Sequence, residues 1–187
     1  MTILRPPTRT AIIEAAFEIF SRDPSASLSE VSERAGVGRA TLHRHFPSRD
    51  ALVRALALIA IEEMDAAADA ATAGAPNYTT AFQRMLSALI PLGSRHGFLA
   101  LEPIEGDPEI ADAFARQQRE TSELIDACKA EGLFELTVPT DWISQVFDHL
   151  LYAAWESIKA GETTPKQASD LAWRTLTRGL SGQANDL

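Results

Sequence analysis

The sequence predicts an all-α fold of about nine helices, and three observations support this prediction. Apolar residues recur three and four positions apart, as at Ile12, Ala16 and Phe20, which is the spacing of a helix with one buried face. Capping boxes, such as Ser27 with Glu30, mark helix starts. Glycine and proline follow the periodic segments and end them. The 187 residues are enough for a small N-terminal module and a second, larger helical domain.

The stretch at residues 27–52 predicts two short helices joined by a tight turn. Gly36 is expected just past the end of the first helix, because glycine adopts positive φ at little cost. In the second helix, Leu42 and Phe46 lie four residues apart on the buried side, and Pro47 ends the helix. Two short helices joined in this way form a helix-turn-helix, whose second helix lies in the major groove of DNA.

The outward face of that second helix carries arginine, histidine and threonine side chains, which can donate hydrogen bonds to phosphates and base edges. An alanine on the same face leaves room for close approach to the groove. A serine at the start of the preceding helix and an arginine after the second helix extend this surface. The predicted DNA-binding residues are Ser27, Arg39, Ala40, Thr41, His43, Arg44, His45 and Arg49.

The segment AGVGRATLHRHFPSRDALV resembles the signature of the TetR (tetracycline-repressor) family of bacterial transcriptional regulators, with a close match over roughly residues 10–56. Two positions depart from the family pattern, since His43 stands where tyrosine is usual and Arg49 where lysine is usual. His43 can still donate to a phosphate but has less reach and ring area, while Arg49 keeps the charge and adds a fork of donors. The resemblance implies a regulator that binds DNA and a small-molecule effector, not an enzyme.

Charge is distributed unevenly along the chain. The net charge of −9 at pH 7 would by itself disfavour binding to phosphate. Residues 1–55, however, carry eight arginines and six acidic residues, a net of +2, whereas the remainder carries nine basic and twenty acidic residues, a net of −11. Such asymmetry indicates nucleic-acid contact by the less acidic part.

The composition is that of a globular protein in a reducing compartment. A hydrophobic fraction of 45% with 23% charged residues is ordinary for a soluble domain. Cys128 is the only cysteine, which excludes an intrachain disulfide framework and an all-cysteine metal site. The sequence shows neither a signal peptide nor an apolar run of the ~18 residues that a membrane helix needs. We therefore expect a cytoplasmic protein without a membrane partner.

The predicted domains are residues 1–50, the helix-turn-helix DNA-binding domain, and residues 51–187, the ligand-binding and dimerisation domain. The first completes its three-helix module with a helix from about Thr8 to Ser21, after an arm that we expect to be mobile. A long helix from Ser48 to about residue 73 connects the domains without a flexible linker. A shift at its far end would therefore change the pose of the DNA-binding module.

The middle of the chain predicts one regular helix and one irregular stretch. Thr80 and Gln83 predict a capping box at the start of the regular helix. Three prolines and three glycines over residues 91–109 break any long helix, so that one or two short helical turns around residues 98–101 fit best.

The next helix is predicted from Asp107 and Pro108 to Glu131, with an apolar line that Gln117 and Thr121 interrupt. Polar groups that face a core need a partner, which could be a bound ligand, a water molecule or another side chain. Helical periodicity and the place where the resembled family binds its effectors predict a set of ligand-binding residues. They are Met64, Phe82, Met85, Leu89, Phe98, Phe114, Gln117, Thr121, Leu124, Phe147 and Tyr152.

The last two helices, about residues 140–160 and 165–180, carry more apolar and aromatic surface than packing on one side would bury. Thr164 with Gln167 predicts a capping box at the start of the second. We interpret the surplus as a two-fold interface in which both pairs form a four-helix bundle, the alternative being core within one chain. The predicted interface residues are Trp142, Val146, Leu150, Trp155, Leu171, Trp173 and Leu176.

These observations predict a ligand-responsive DNA-binding regulator that binds a palindromic operator in double-stranded DNA as a homodimer. We interpret it as a repressor that dissociates when a small molecule binds the C-terminal domain; activation stays open. The rival is a dimeric adaptor of the same fold that binds a protein instead of DNA. No cofactor, metal or catalytic residue is expected, because His96 belongs to no paired ligand motif. Cys128 is interpreted as a small buried hydrophobe, and His149 as an interface or core residue.

Overall fold

The computed structural model describes residues 7–101 and 106–178, with no side chain described at Leu101. Within these ranges the protein consists of α-helices, connecting turns and one 3₁₀ turn at Ile90–Leu92, without strands, which confirms the predicted all-α fold. Residues 1–6 of the predicted mobile arm, which was to span residues 1–7, and the predicted helix end at Leu180 lie outside the described residues. The helices of the described ranges are α1 (Thr8–Phe20), α2 (Leu28–Arg34), α3 (Arg39–His45), α4 (Arg49–Thr72), α5 (Tyr78–Leu89), α6 (Gly93–Leu101), α7 (Pro108–Ala130), α8 (Thr140–Lys159) and α9 (Pro165–Arg178).

The chain divides into two compact units, and each of them is discontinuous in sequence. The first comprises the described parts of Met1–Glu62 and Ser94–Ala111, and the second those of Glu63–Gly93 and Asp112–Leu187. Helices α4, α6 and α7 therefore each contribute residues to both units. The predicted division by function at residue 50 is a different partition of the chain, and it stays a prediction.

The first unit is built around α1, whose predicted apolar stripe is buried and which packs on α2. On the polar side of α1, Glu18 pairs with Arg34 of α2 at 2.5 Å. The buried apolar side chains of this unit include Ile12, Ile13, Ala16, Phe17, Phe20, Val31, Leu42, Phe46, Leu52, Leu56, Phe98 and Ile110.

Helix α6 is longer than the one or two short turns that the sequence predicted. It is a nine-residue helix, and Phe98 packs edge-to-face on Phe17 of α1 with ring centroids 5.5 Å apart. The Arg95 guanidinium lies 4.3 Å from the Phe17 ring centroid and pairs with Glu14 at 2.7 Å. Burial of Phe98 against α1 outweighs the local helix-breaking preference, which is a tertiary effect that no short window of sequence contains.

The start of α7 is attached to α4 within the same unit. Asp107 accepts hydrogen bonds from the backbone N–H groups of Glu109 and Ile110, as expected of a residue just before a helix. Arg54 of α4 donates to the carboxylates of Asp107 at 2.6 Å and Glu109 at 2.5 Å. The Arg54 guanidinium is the main cause that holds the pKa of Asp107 below its usual value. These contacts hold the segment before α7 to α4.

The second unit has an aromatic centre formed by α5, α8 and α9. The rings of Phe82 and Phe147 stack with centroids 5.1 Å apart, and Trp173 and Phe134 each pack on Phe82 in a T-shaped arrangement. Such pairs add ~0.5–1.5 kcal/mol each beyond the area they bury. The buried apolar side chains around them include Met85, Leu86, Leu89, Ile125, Cys128, Ile143, Leu151, Ala154, Ala168 and Ala172.

Helix α5 begins two residues before the predicted capping box of Thr80 and Gln83, so this prediction was wrong. Its cap is Asn77, whose side-chain oxygen accepts from the Thr80 N–H at 2.8 Å. The carboxylate of Glu131, just after α7, accepts from the N–H groups of Tyr78 at 2.9 Å and Thr79 at 2.8 Å. A carboxylate 53 residues away along the chain thus completes this helix start, and local sequence could not indicate it.

We expect Glu131 to make the stability of the second unit dependent on pH. Its hydrogen bonds from Tyr78 and Thr79 hold its pKa below the ordinary value of 4.5. A lowered folded-state pKa stabilises the fold above the unfolded-state value and loses this contribution as pH falls through the folded-state value. We therefore expect Glu131→Gln to unfold at lower denaturant than the wild type at pH 7, with the difference shrinking as pH falls below about 4.5. Glu123→Gln on an exposed part of α7 is the control, and an equal pH dependence in both variants would contradict the assignment.

The predicted capping box at α9 is confirmed. Gln167 accepts from the Thr164 N–H at 2.9 Å, while the Gln167 N–H donates to the Thr164 hydroxyl at 3.3 Å. In the described part of the chain, none of the helices combines the length and the apolar character required to cross a membrane.

Candidate nucleic-acid interface

The start and end of α2 are set by the residues that the sequence singled out. Ser27 is the N-cap, with its N–H donating to the Glu30 carboxylate at 2.7 Å and its hydroxyl accepting from the Glu30 N–H at 3.3 Å. After the helix, Gly36 has φ of +66°. The Gly36 N–H donates to the backbone carbonyl of Glu33, and the Val37 N–H donates to the backbone carbonyl of Ser32. This pair of hydrogen bonds is the Schellman pattern. The turn into α3 is therefore determined by local hydrogen bonds.

Helix α3 has one buried and one exposed side. Leu42 and the following Phe46 are buried, as predicted, and anchor the helix in the first unit. On the opposite side Arg39, Ala40, His43, Arg44 and His45 are exposed, while Thr41 is half-buried. Six of the eight predicted DNA-binding residues thus lie on one seven-residue helix, where basic groups face solvent. The DNA-binding role of these residues stays a prediction.

Arg39 is held against α2 by a residue that the sequence did not indicate. Its guanidinium donates to the hydroxyl of Ser29 at 2.7 Å. The only sequence signal was the position of Ser29 in the first turn of α2, which is weak because serine is common there. This contact holds the guanidinium of Arg39 beside the start of α2.

Arg49 has a structural role in addition to its predicted one. Its guanidinium lies 4.6 Å from the centroid of the buried Phe20 ring and donates to the backbone carbonyl of Pro24. The side chain therefore fastens the loop after α1 to the start of α4. Ser27, the other predicted residue outside α3, is exposed, and its hydroxyl also donates to Glu30 at 2.8 Å.

The predicted ligand-binding residues are not all in one place. Phe82, Met85, Leu89 and Phe147 belong to the buried centre of the second unit. Phe98 lies in the first unit, fully buried against Phe17, and Phe114 is 37% exposed on α7, so neither shares that centre. The half-buried members of the second unit are Met64, Gln117, Thr121, Leu124 and Tyr152.

Gln117 has a side-chain partner within the protein. Its amide donates to the carboxylate of Asp65 on α4 at 2.5 Å, and Arg116 pairs with the same carboxylate. The sequence left open whether the partner of Gln117 is a ligand, a water molecule or another side chain. In the structure the partner is a side chain, that of Asp65. Asp65 was missed because α4 and α7 meet only through the tertiary fold.

The predicted interface residues fall into three groups by exposure within one protomer. Trp142 is 62% exposed and Leu171 is 41% exposed. Val146, Leu150, Trp173 and Leu176 are half-buried. Trp155 is only 8% exposed, so most of its surface is already buried within one protomer. The interface role of all these residues stays a prediction.

The cysteine and a histidine that the sequence analysis considered besides the DNA- and ligand-binding residues each have a defined environment. Cys128 is fully buried, and burial raises the pKa of its thiol to about 11, which keeps it neutral as expected for a small hydrophobe. His149 is exposed, with Nδ1 2.7 Å from the carbonyl oxygen of Gln145. Across residues 7–101 and 106–178, no three histidine, cysteine or acidic residues group closely enough to hold a metal ion.

A capped helix, a glycine turn and a second helix with an exposed basic face define a DNA-binding protein of the helix-turn-helix class. Residues 12–56 match the model of the bacterial regulatory proteins, tetR family. The chain is also 33% identical over 178 residues to the HTH-type transcriptional repressor LfrR of Mycolicibacterium smegmatis, covering 94% of this chain and 92% of that protein. The protein belongs to the TetR family of transcriptional regulators.

Further relatives agree with this assignment. Over 54 residues, or 28% of each chain, the protein is 43% identical to the regulator UidR of Escherichia coli strain K12. The solved structure of LfrR from Mycobacterium smegmatis in complex with proflavine superposes with a TM-score of 0.76 at 32% identity, covering 94% of this chain and 97% of that one. KstR2 of Mycobacterium tuberculosis shares the fold, with a TM-score of 0.77 at 16% identity over 95% and 97% of the chains. The family acts in DNA-binding regulation of transcription, not in catalysis.

Proposed function

We propose that this protein is a ligand-responsive repressor that binds a palindromic operator as a homodimer. The observation that carries the proposal is the exposed side of α3, where Arg39, His43, Arg44 and His45 face solvent on a helix anchored by Leu42. Basic and hydrogen-bonding groups so placed can neutralise phosphates and reach base edges in the major groove. Retention of this basic face disfavours the adaptor alternative, which has no need of it.

Repression and ligand response are supported by relatedness to LfrR. That protein is named a repressor, and it has been solved in complex with proflavine. For this chain we propose an effector site in the second unit, at the half-buried Met64, Thr121, Leu124 and Tyr152. These residues combine apolar surface with a few polar groups, as small-molecule sites do.

The proposed mechanism is a shift between two conformers of the dimer. One short helix contacts too few base pairs for specificity, whereas a two-fold dimer reads two half-sites ~34 Å apart or a multiple of this. An effector that prefers a conformer with a different half-site spacing releases the operator. A coupling of ~1–3 kcal/mol per effector is enough to change operator affinity 5- to 150-fold.

The test is binding of the purified protein to genomic fragments, including DNA beside its own coding region. Binding is measured at two salt concentrations, about 50 and 200 mM, because contacts to phosphates weaken steeply over this range. The expected result is selective, salt-sensitive binding with a palindromic footprint. Proflavine, or another compound of a cationic dye panel, is expected to release the DNA from the protein. Binding to no fragment, with or without these compounds, would refute the repressor and favour the adaptor.

Arg44 and His45 provide the prediction that separates base reading from phosphate contact. If Arg44 reads a base, Arg44→Ala costs ~1–3 kcal/mol of operator binding and relaxes specificity at one position. His45→Ala is expected to weaken binding to all sequences and to flatten the salt dependence, as is Arg49→Ala, which also loosens the loop at Pro24. Titration of each variant with operator and random DNA decides between the roles. Equal losses on both DNAs for Arg44→Ala would assign it to the phosphates.

A further inference from the structure

Arg9, in the first turn of α1, lies beside the end of α3. Its guanidinium carbon is 5.5 Å from the centroid of the Phe46 ring, and Phe46 directly follows α3. The Phe46 N–H donates to the carbonyl of Leu42 at 2.8 Å, which fixes Phe46 to the last turn of the helix. Phe46 is buried, whereas Arg9 and the neighbouring His45 are exposed. The ring therefore holds a solvent-exposed cation beside the predicted DNA-binding residues.

Several arginines of the first unit are neutralised within the protein, and Arg9 is not among them. The arginines paired with carboxylates are Arg22, Arg34, Arg54 and Arg95. In residues 7–101 and 106–178, Arg9 pairs with no carboxylate, and the first turn of α1 contains no acidic residue. Arg39 and Arg44 of α3 likewise have no carboxylate partner among these residues. Arg9 thus resembles the arginines of the predicted DNA-binding face in keeping its charge available.

The position of Arg9 suits an anionic partner outside the chain. A cation in the first turn of a helix is disfavoured, because it lies at the positive end of the helix dipole. Contact with the Phe46 ring offsets part of this cost. The hydrogen-bond donors of Arg9 have no acceptor in the described part of the chain, and a guanidinium presents them as a fork that fits a phosphate.

We propose that Arg9 binds a backbone phosphate of the operator, next to the base pairs that α3 contacts. The inference rests on the proposed function and adds to its DNA interface a residue of α1. Phosphate contacts fix the register and orientation of a protein on the duplex and carry no sequence information themselves. Arg9 consequently contributes affinity for any DNA sequence, and the choice among sequences stays with α3.

The first test compares the salt dependence of DNA binding in Arg9→Gln and Arg22→Gln. Each variant loses one positive charge, but Arg22 lies at the opposite end of α1, ~20 Å along the helix, and pairs with Glu18. For Arg9→Gln the slope of log K against log salt concentration should become less steep by about 0.9, the value for one phosphate of a duplex. The fractional loss should be equal on operator and random DNA. Arg22→Gln should keep the wild-type slope, and Arg9→Lys, which retains the charge, should stay close to it.

The second test locates the contact on the DNA. Operator phosphates are replaced one at a time by uncharged methylphosphonates, and binding of each duplex to the wild type and to Arg9→Gln is measured. At one phosphate of the half-site, the replacement should weaken the wild type by about the same factor as Arg9→Gln does. The same replacement should weaken Arg9→Gln no further, because the partner of that phosphate is already missing.

A purely structural role for Arg9, in which it only covers Phe46, gives different results. Arg9→Gln would then lower the denaturation midpoint while leaving the salt slope unchanged, and this outcome overturns the inference. Equal sensitivity of wild type and Arg9→Gln to every methylphosphonate overturns it as well. A wild-type protein that binds no DNA would instead refute the proposed function, and the inference with it. If the wild type selects its operator but Arg9→Gln binds identically, only the inference fails.

Discussion

Replacement of Phe17 by alanine is expected to lower the free energy of unfolding by ~3–5 kcal/mol, the usual cost of deleting a fully buried phenylalanine. Phe17 is fully buried on α1, and it is the ring on which both Phe98 and Arg95 of α6 pack. The substitution would leave a cavity where α6 packs on α1 in the first unit. Chemical denaturation followed by circular dichroism measures the loss, and operator binding should fall at temperatures where the wild type still binds.

The same change at Phe114 is the control for Phe17→Ala. Phe114 is 37% exposed on α7, so that Phe114→Ala should cost much less stability. A small loss at Phe17, comparable with that at Phe114, would mean that α6 is not held on α1 by this ring cluster.

Replacement of Trp142 by glutamate is expected to convert the proposed dimer into monomers. Trp142 is 62% exposed in one protomer, although tryptophan is a residue whose burial is strongly favourable. A charge at this position of a two-fold interface would be buried twice per dimer without a partner. Sedimentation should therefore show half the wild-type mass, with operator binding lost because a single recognition helix contacts too few base pairs.

Leu136→Glu provides the matched control for Trp142→Glu. Leu136 is 77% exposed in the loop before α8, outside the predicted interface set. The control variant should sediment and bind DNA as the wild type does. An unchanged mass for Trp142→Glu would remove Trp142 from the interface, whereas dissociation by both changes would extend the interface to the loop.

The parts of the fold that sequence predicted correctly are those defined by local signals. Ser27 with Glu30, the glycine at position 36 and the pair Leu42 and Phe46 specify α2, the turn and the buried side of α3 within 20 residues. Each depends on hydrogen bonds or spacing between near neighbours, which one sequence window contains. The capping box at Thr164 was predictable for the same reason.

The predictions that failed or were incomplete depended on contacts between distant segments. The capping box predicted at Thr80 does not form, because the helix begins earlier, with Asn77 as its cap. The Glu131 carboxylate accepts from the N–H groups of Tyr78 and Thr79, which precede Thr80. The length of α6 was underestimated because Phe98 gains burial against Phe17. Helical periodicity also grouped Phe98 with residues that lie in the second unit, because a pattern shows that a side chain is buried but not against what. The ligand-binding role of Phe98 stays a prediction.

By itself the sequence determined the helical class, the helix-turn-helix and the basic side of α3, because these follow from helical spacing, capping residues and local charge. Only the tertiary structure decided that Trp155 lies in the core against Gly93, that Asp65 partners Gln117, and that Arg49 fastens a loop. These contacts join residues from 25 to 62 positions apart along the chain. These contacts contribute to stability only once the helices have packed, because their partners are distant in sequence. A local sequence pattern therefore cannot indicate them.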